Sequence, residues 1–118
     1  LRGYGNSDKP YTGYDYDRMA MDIKLVIDAL KLSDITLVGH SMGGAICLRY
    51  MSKFNEDKVS RLCLLSAVAP KWVQSSNWLY GYTVDEVNKL IDSFKSDKPK
   101  AIIDTSESFF INLLVKVY

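Results

Sequence analysis

The apolar run Ile35-Thr36-Leu37-Val38 leads directly into Gly39-His40-Ser41-Met42-Gly43-Gly44, and a helix-forming stretch begins at once after it. An extended segment, a serine with glycine two positions away on each side, and an immediate helix make up G-x-S-x-G in its strand–turn–helix context. A bend that tight forces the serine backbone into strain and presents its hydroxyl outward. Gly39 and Gly43 are expected to stand where no side chain fits, and Gly44 to let the helix lie near the strand. Ser41 is therefore the candidate nucleophile. Met42, whose N–H opens the helix where the dipole favours negative charge, is the candidate oxyanion donor. The plainer alternative, a serine that only caps a helix, does not account for the strand before it and the α/β order around it.

A serine hydroxyl is a weak nucleophile and needs a positioned base, itself oriented by a third group. The chain has one histidine, His40. As the neighbour of Ser41 it leaves the backbone in a different direction and cannot reach the hydroxyl without dismantling the turn. It is expected to pack and hydrogen-bond beneath the bend.

The pattern on either side is that of alternating helices and strands. Residues 1 to 14 carry Gly3, Gly5, Gly13 and Pro10 around Asn6-Ser7-Asp8 and read as a loop. Asp15 is a suitable N-cap for a helix from Tyr16 to Lys31, with Met19, Ile23, Val26, Ile27 and Leu30 forming a stripe toward a sheet. A strand over 34–39, covered on both faces, is followed by a helix from Met42 or Gly43 to Phe54 and a strand over 61–67. This order implies an α/β class with parallel strands, and Ser41 at a carboxyl end of the sheet, where such folds bind ligands.

After Pro70 the character changes. An irregular stretch holds Trp72, Trp78, Tyr80 and Tyr82, which could line an apolar acyl pocket or pack on one another. Thr83 and Glu86 form a capping box ahead of Val84, Val87, Ile91 and Phe94, a stripe read as core. Ser96 to Pro99 should break that helix, with two shorter ones at about 100–104 and 108–117. The division expected is a partial α/β core over 1–70 and a helical lid, cut short, over 71–118. Tyr4, Tyr11, Tyr14 and Tyr16 are expected to cover the sheet edge.

Bulk properties exclude more than they assign. A net charge of +1, with Lys and Arg scattered among acids, makes no case for nucleic acid or a membrane surface. The apolar stretch 109–117 is interrupted by Asn112 and Lys116 and is too short to span a bilayer. Cys47 and Cys63 lack metal-ligand spacing and read as buried free thiols, which fits a reducing, cytoplasmic compartment. The chain opens at Leu1 inside a loop and closes at Tyr118 within a helical pattern, so both ends read as cut and say nothing about export.

Leu1-Arg2-Gly3-Tyr4-Gly5-Asn6-Ser7-Asp8-Lys9-Pro10, the following helix, and the segment from Ile35 to Gly44 together resemble the α/β-hydrolase superfamily. Within it, the resemblance is to small esterases and cofactor-free haloperoxidases (perhydrolases). It is strong over residues 1 to about 70 and weaker beyond. The resemblance implies a Ser-His-Asp hydrolase of small-molecule acyl substrates that works through an acyl-enzyme on Ser41. Haloperoxidase-like members also form a peracid from an organic acid and hydrogen peroxide, with no haem or metal cofactor. Arg2 and Gly3 match a loop that shapes the site's floor.

In that superfamily the acid and histidine follow the serine in chain order. The resemblance places both after the lid, the sequence stops before them, and Val68-Ala69-Pro70 supplies no acid for a variant triad, so the chain reads as an internal fragment of a hydrolase. Thioester or carbon–carbon bond hydrolysis is the alternative chemistry, and a non-catalytic binder or an inactive remnant the alternative class. Dehalogenase and epoxide hydrolase readings need an aspartate where Ser41 stands.

Overall fold

The computed structural model describes residues 1–68 and 71–114, apart from the side chains of 107–114. Ala69, Pro70 and residues 115–118, on which the variant-triad argument and the end of the last helix partly fall, lie outside the described residues. The chain forms two compact units, residues 1–71 and 72–118.

In the first unit, α1 (Tyr16–Ala29) starts where Asp15 accepts the Arg18 N–H at 2.8 Å, satisfying one of the orphan donors of a first turn. β1 (Ile35–His40) leads into α2 (Met42–Phe54), which ends at Asn55 in the left-handed conformation that asparagine tolerates. β2 (Val59–Leu65) then pairs parallel to β1, with Leu37 opposite Leu62 and His40 opposite Leu65. The strand pairing sits two residues earlier on β2 than the apolar run alone suggests.

The core lies between the helices and one face of the two strands. Ala20 and Ile27 of α1 meet Tyr50 of α2, with Ile35, Leu37 and Val59 packed against them. Tyr50 is fully buried and donates its hydroxyl to the Asp57 carbonyl at 2.8 Å, so its polar end is satisfied. The stripe on α1 is only half used: Met19 and Ile27 are buried, whereas Val26 and Leu30 are exposed.

Within the first unit the strands are packed on one face. Along β1, residues 35, 37 and 39 are the less exposed and 36, 38 and 40 the more exposed, a period-two alternation with one face packed. Within the first unit the described elements leave the other face open, and Val38, 59% exposed, and its partner Cys63 lie on it. Cys47, in contrast, is buried in α2, and desolvation raises its thiol pKa. The opening tyrosines are solvent-facing as well, with Tyr11 wholly exposed.

The glycine-rich opening loop is tied to α1 by Arg2, whose Nη2 donates to Asp22 at 2.7 Å and whose Nη1 donates to the Thr12 carbonyl. Hydrogen bonding from Arg2 holds the Asp22 carboxyl below the usual carboxylate range, and Lys53 and Arg49 do the same for Asp17 between α1 and α2. A carboxyl depressed by folding stabilises the fold above its unfolded value, about 3.9, and that contribution disappears as pH falls through the folded value. Melting temperature is expected to fall most steeply below about pH 4. Asp22→Asn should flatten that acid limb, and an unaltered acid profile in this variant would exclude the pair as its source.

In the second unit, α3 (Val84–Ser96) opens with the reciprocal capping box: Glu86 accepts the Thr83 N–H at 2.7 Å, and Thr83 Oγ1 accepts the Glu86 N–H at 3.2 Å. Its stripe is not a closed core. Val84 and Ile91 are exposed and no α3 residue is fully buried; within the second unit α4 is the helix packed against it.

α4 (Lys98–Leu114) replaces the two short helices expected. Asp97 breaks the chain and accepts the Lys100 N–H, so Pro99 falls in a first turn, where its missing donor costs nothing. One helix runs through the gap expected between 104 and 108, and there Thr105 and Ser106 turn their hydroxyls back to the Ala101 and Ile102 carbonyls.

Candidate active site

Ser41 occupies the single residue between β1 and α2, at φ +52° and ψ −122°. Few residues with a Cβ adopt that backbone, and holding one there costs about 1–3 kcal/mol. Three hydrogen bonds fix it. The Ser41 N–H donates to the Leu65 carbonyl, and the Ser41 carbonyl accepts from the N–H groups of Gly44 and Val68, each at 3.0 Å. The side chain makes no capping bond to α2, so the helix-cap alternative does not describe this serine.

The crowding around the bend differs from glycine to glycine. A Cβ on Gly39 would stand 2.6 Å from both the Gly43 carbonyl oxygen and the Gly44 Cα, so strand and helix leave it no space. A Cβ on Gly44 would overlap the Ala67 methyl group: the close neighbour there is the exit of β2. Gly43 departs from expectation, since nothing lies within 4 Å of where its Cβ would be. It lies in the first turn of α2, where the side-chain direction leads away from the strand. Gly43→Ala is therefore expected to raise stability by about 0.5–1 kcal/mol through helix propensity. A lower melting temperature for that variant would show that the first turn needs a bare position.

Met42 opens α2 and is partly exposed; its N–H precedes the first intrahelical bond and is one of the four orphan donors of a helix start. His40 does not pack beneath the bend. As the last residue of β1 it falls on the uncovered face and is exposed. A cavity of about 830 Å³ runs along the β1 edge past Val26, Ile27, Leu32 and Leu37, and reaches Gly43 but neither Ser41 nor Met42.

The four aromatic candidates belong to the second unit and pair with one another. Trp72 meets Tyr82 edge-on with ring centroids 5.1 Å apart, and Trp78 meets Tyr80 at 5.3 Å. Backbone bonds from Tyr82 to Trp72 and between Ser75 and Trp78 hold the loop that carries them.

Two groups escaped the sequence reading altogether, the Leu65 carbonyl at the end of β2 and the Val68 N–H just beyond it, which grip Ser41. Backbone donors and acceptors leave no mark in side-chain identity, and the only available hint was a small residue, Ala67, just after an apolar run.

A family profile for the alpha/beta hydrolase fold matches residues 1–116. The chain belongs to the α/β-hydrolase fold family. It is similar to a solved esterase from Exiguobacterium antarcticum, with 49% identity and a TM-score of 0.83, covering 90% of this chain and 40% of that one. It is also similar to the AB hydrolase superfamily protein YisY of Bacillus subtilis, 46% identical over 93% of this chain and 41% of the relative. A non-heme chloroperoxidase of Kitasatospora aureofaciens is 33% identical over 92% of this chain and 40% of its own length. This α/β-hydrolase chain thus spans about two-fifths of the length of those relatives.

Proposed function

We propose that this chain carries the nucleophile of a serine hydrolase that acts on small carboxylic esters through an acyl-enzyme. The observation behind the proposal is the backbone of Ser41: a non-glycine residue at φ +52°, ψ −122°, gripped on both sides, with its hydroxyl not spent on the helix it precedes. Strain maintained at one residue is a signature of sites where geometry serves chemistry. Ser41 Oγ attacks the acyl carbonyl and expels the alcohol, and water then releases the acid. The negative charge that develops on the carbonyl oxygen falls at the start of α2, where the Met42 N–H and the helix dipole favour it. The similarity to a chloroperoxidase supports a second use of the same acyl-serine, in which hydrogen peroxide replaces water and releases a peracid.

The base that takes the Ser41 proton is not His40, whose exposed side chain leaves the end of β1. The 118-residue polypeptide alone is therefore expected to hydrolyse p-nitrophenyl acetate no faster than buffer. In the full natural chain a fluorophosphonate is expected to label Ser41. Failure to label a folded, full-length protein would defeat the hydrolase reading, while Ser41-dependent turnover by the 118 residues alone would overturn the assignment of the base elsewhere.

A further inference from the structure

The exit of β2 has a backbone that its own strand does not require. Ser66 stands at φ +43°, in the left-handed region, although it carries a Cβ. Because His40 is opposite Leu65, Ser66 and Ser41 are the next residues along two paired strands. Two strained serines therefore sit at one end of the sheet. The turn at Ser66 brings Ala67 over Gly44 and delivers the Val68 N–H to the Ser41 carbonyl, which also accepts from Gly44.

That carbonyl belongs to the same planar peptide group as the Met42 N–H. In a trans peptide the two bonds point in opposite directions, so fixing the oxygen fixes where the N–H aims. Accepting two hydrogen bonds also polarises the group and strengthens its N–H as a donor.

We propose that the turn Ser66-Ala67-Val68 is a positioning device for the oxyanion donor, acting through the Val68 N–H on the Ser41–Met42 peptide. This rests on the reading of Ser41 as nucleophile and Met42 as donor. The turn does not touch substrate. It sets the direction of the Met42 N–H, and the left-handed backbone at Ser66 is what lets the chain double back far enough.

The test is made in the full natural chain with Val68→Pro, which deletes the N–H, and with Ser66→Val and Ser66→Gly. Val68→Pro and Ser66→Val are expected to lower kcat and the affinity for a boronic acid, a mimic of the tetrahedral oxyanion, by about tenfold or more, with KM nearly unchanged. Ser66→Gly, which keeps the left-handed turn, is expected to restore both to within about twofold. Should Val68→Pro fail to fold, the contrast between Ser66→Val and Ser66→Gly decides. Folded variants that lose boronate affinity no more than they lose substrate affinity would overturn the proposal. So would a Ser66→Gly protein as impaired as Ser66→Val, because the hydroxyl and not the turn would then matter. A wild-type protein whose Ser41 resists fluorophosphonate defeats the nucleophile reading itself, and this inference with it.

Discussion

Replacing Ser41 by alanine in the full natural chain is expected to lower esterase turnover by about five to six orders of magnitude, as loss of a catalytic serine does when nucleophile and base act as a unit. The alanine keeps a Cβ, so it inherits the strained backbone between β1 and α2, and its melting temperature is expected to stay near wild type. Ser41→Gly separates chemistry from strain. It is equally unable to attack an ester, yet it relieves a conformation that costs about 1–3 kcal/mol, so it is expected to melt several degrees higher. Inactive Ser41→Ala beside inactive but stabilised Ser41→Gly would place both the nucleophile and the stored strain at this residue. Esterase activity surviving Ser41→Ala would remove the nucleophile, and an unchanged melting point for Ser41→Gly would remove the strain.

The second large effect is expected from Gly39→Ala. The added methyl would be 2.6 Å from a carbonyl oxygen and a Cα that both belong to α2, and neither is a flexible side-chain end that can swing aside. The start of the helix must shift, at a cost of about 1–3 kcal/mol or more. The same shift carries the Ser41 and Met42 peptide out of register with substrate, and a misplacement of about 1 Å costs roughly 10²-fold in rate. Gly43→Ala is the matched control for stability, because its methyl meets open space. Urea unfolding of the two variants should therefore shift in opposite directions. Equal shifts would mean that the close approach of β1 and α2 is not what demands glycine.

That contrast also marks how far the bend could be read from residues alone. The pattern Gly39-x-Ser41-x-Gly43-Gly44 located it correctly between a strand and a helix, because apolar runs and helix starts are written locally. Asp15 and the Thr83–Glu86 pair were legible for the same reason: each satisfies donors within one turn of itself. Which glycine is crowded was not legible. Gly39 faces α2 and Gly44 faces Ala67, a residue 23 positions away in the chain, so only the packed structure distinguishes them from Gly43.

The uncovered face of β1 has a similar origin. An apolar run such as Ile35 to Val38 is compatible with packing on one face or two, and within the first unit Val38 and Cys63 share the face that its described elements leave open. Likewise, the gap expected between two short helices is closed in α4, where the Thr105 and Ser106 hydroxyls bond back to carbonyls of the same helix.

Sequence alone determined the element order of the first unit, the caps of α1 and α3, and the residue that stands at the bend, since each depends on contacts spanning a few positions. Tertiary structure alone decided the grip on that residue: the Leu65 carbonyl and the Val68 N–H come from the end of β2 and the turn after it, and are identical in kind to every other peptide group. A chain can spell a turn in its side chains, but the hydrogen bonds that aim it exist only once β2 has closed against β1.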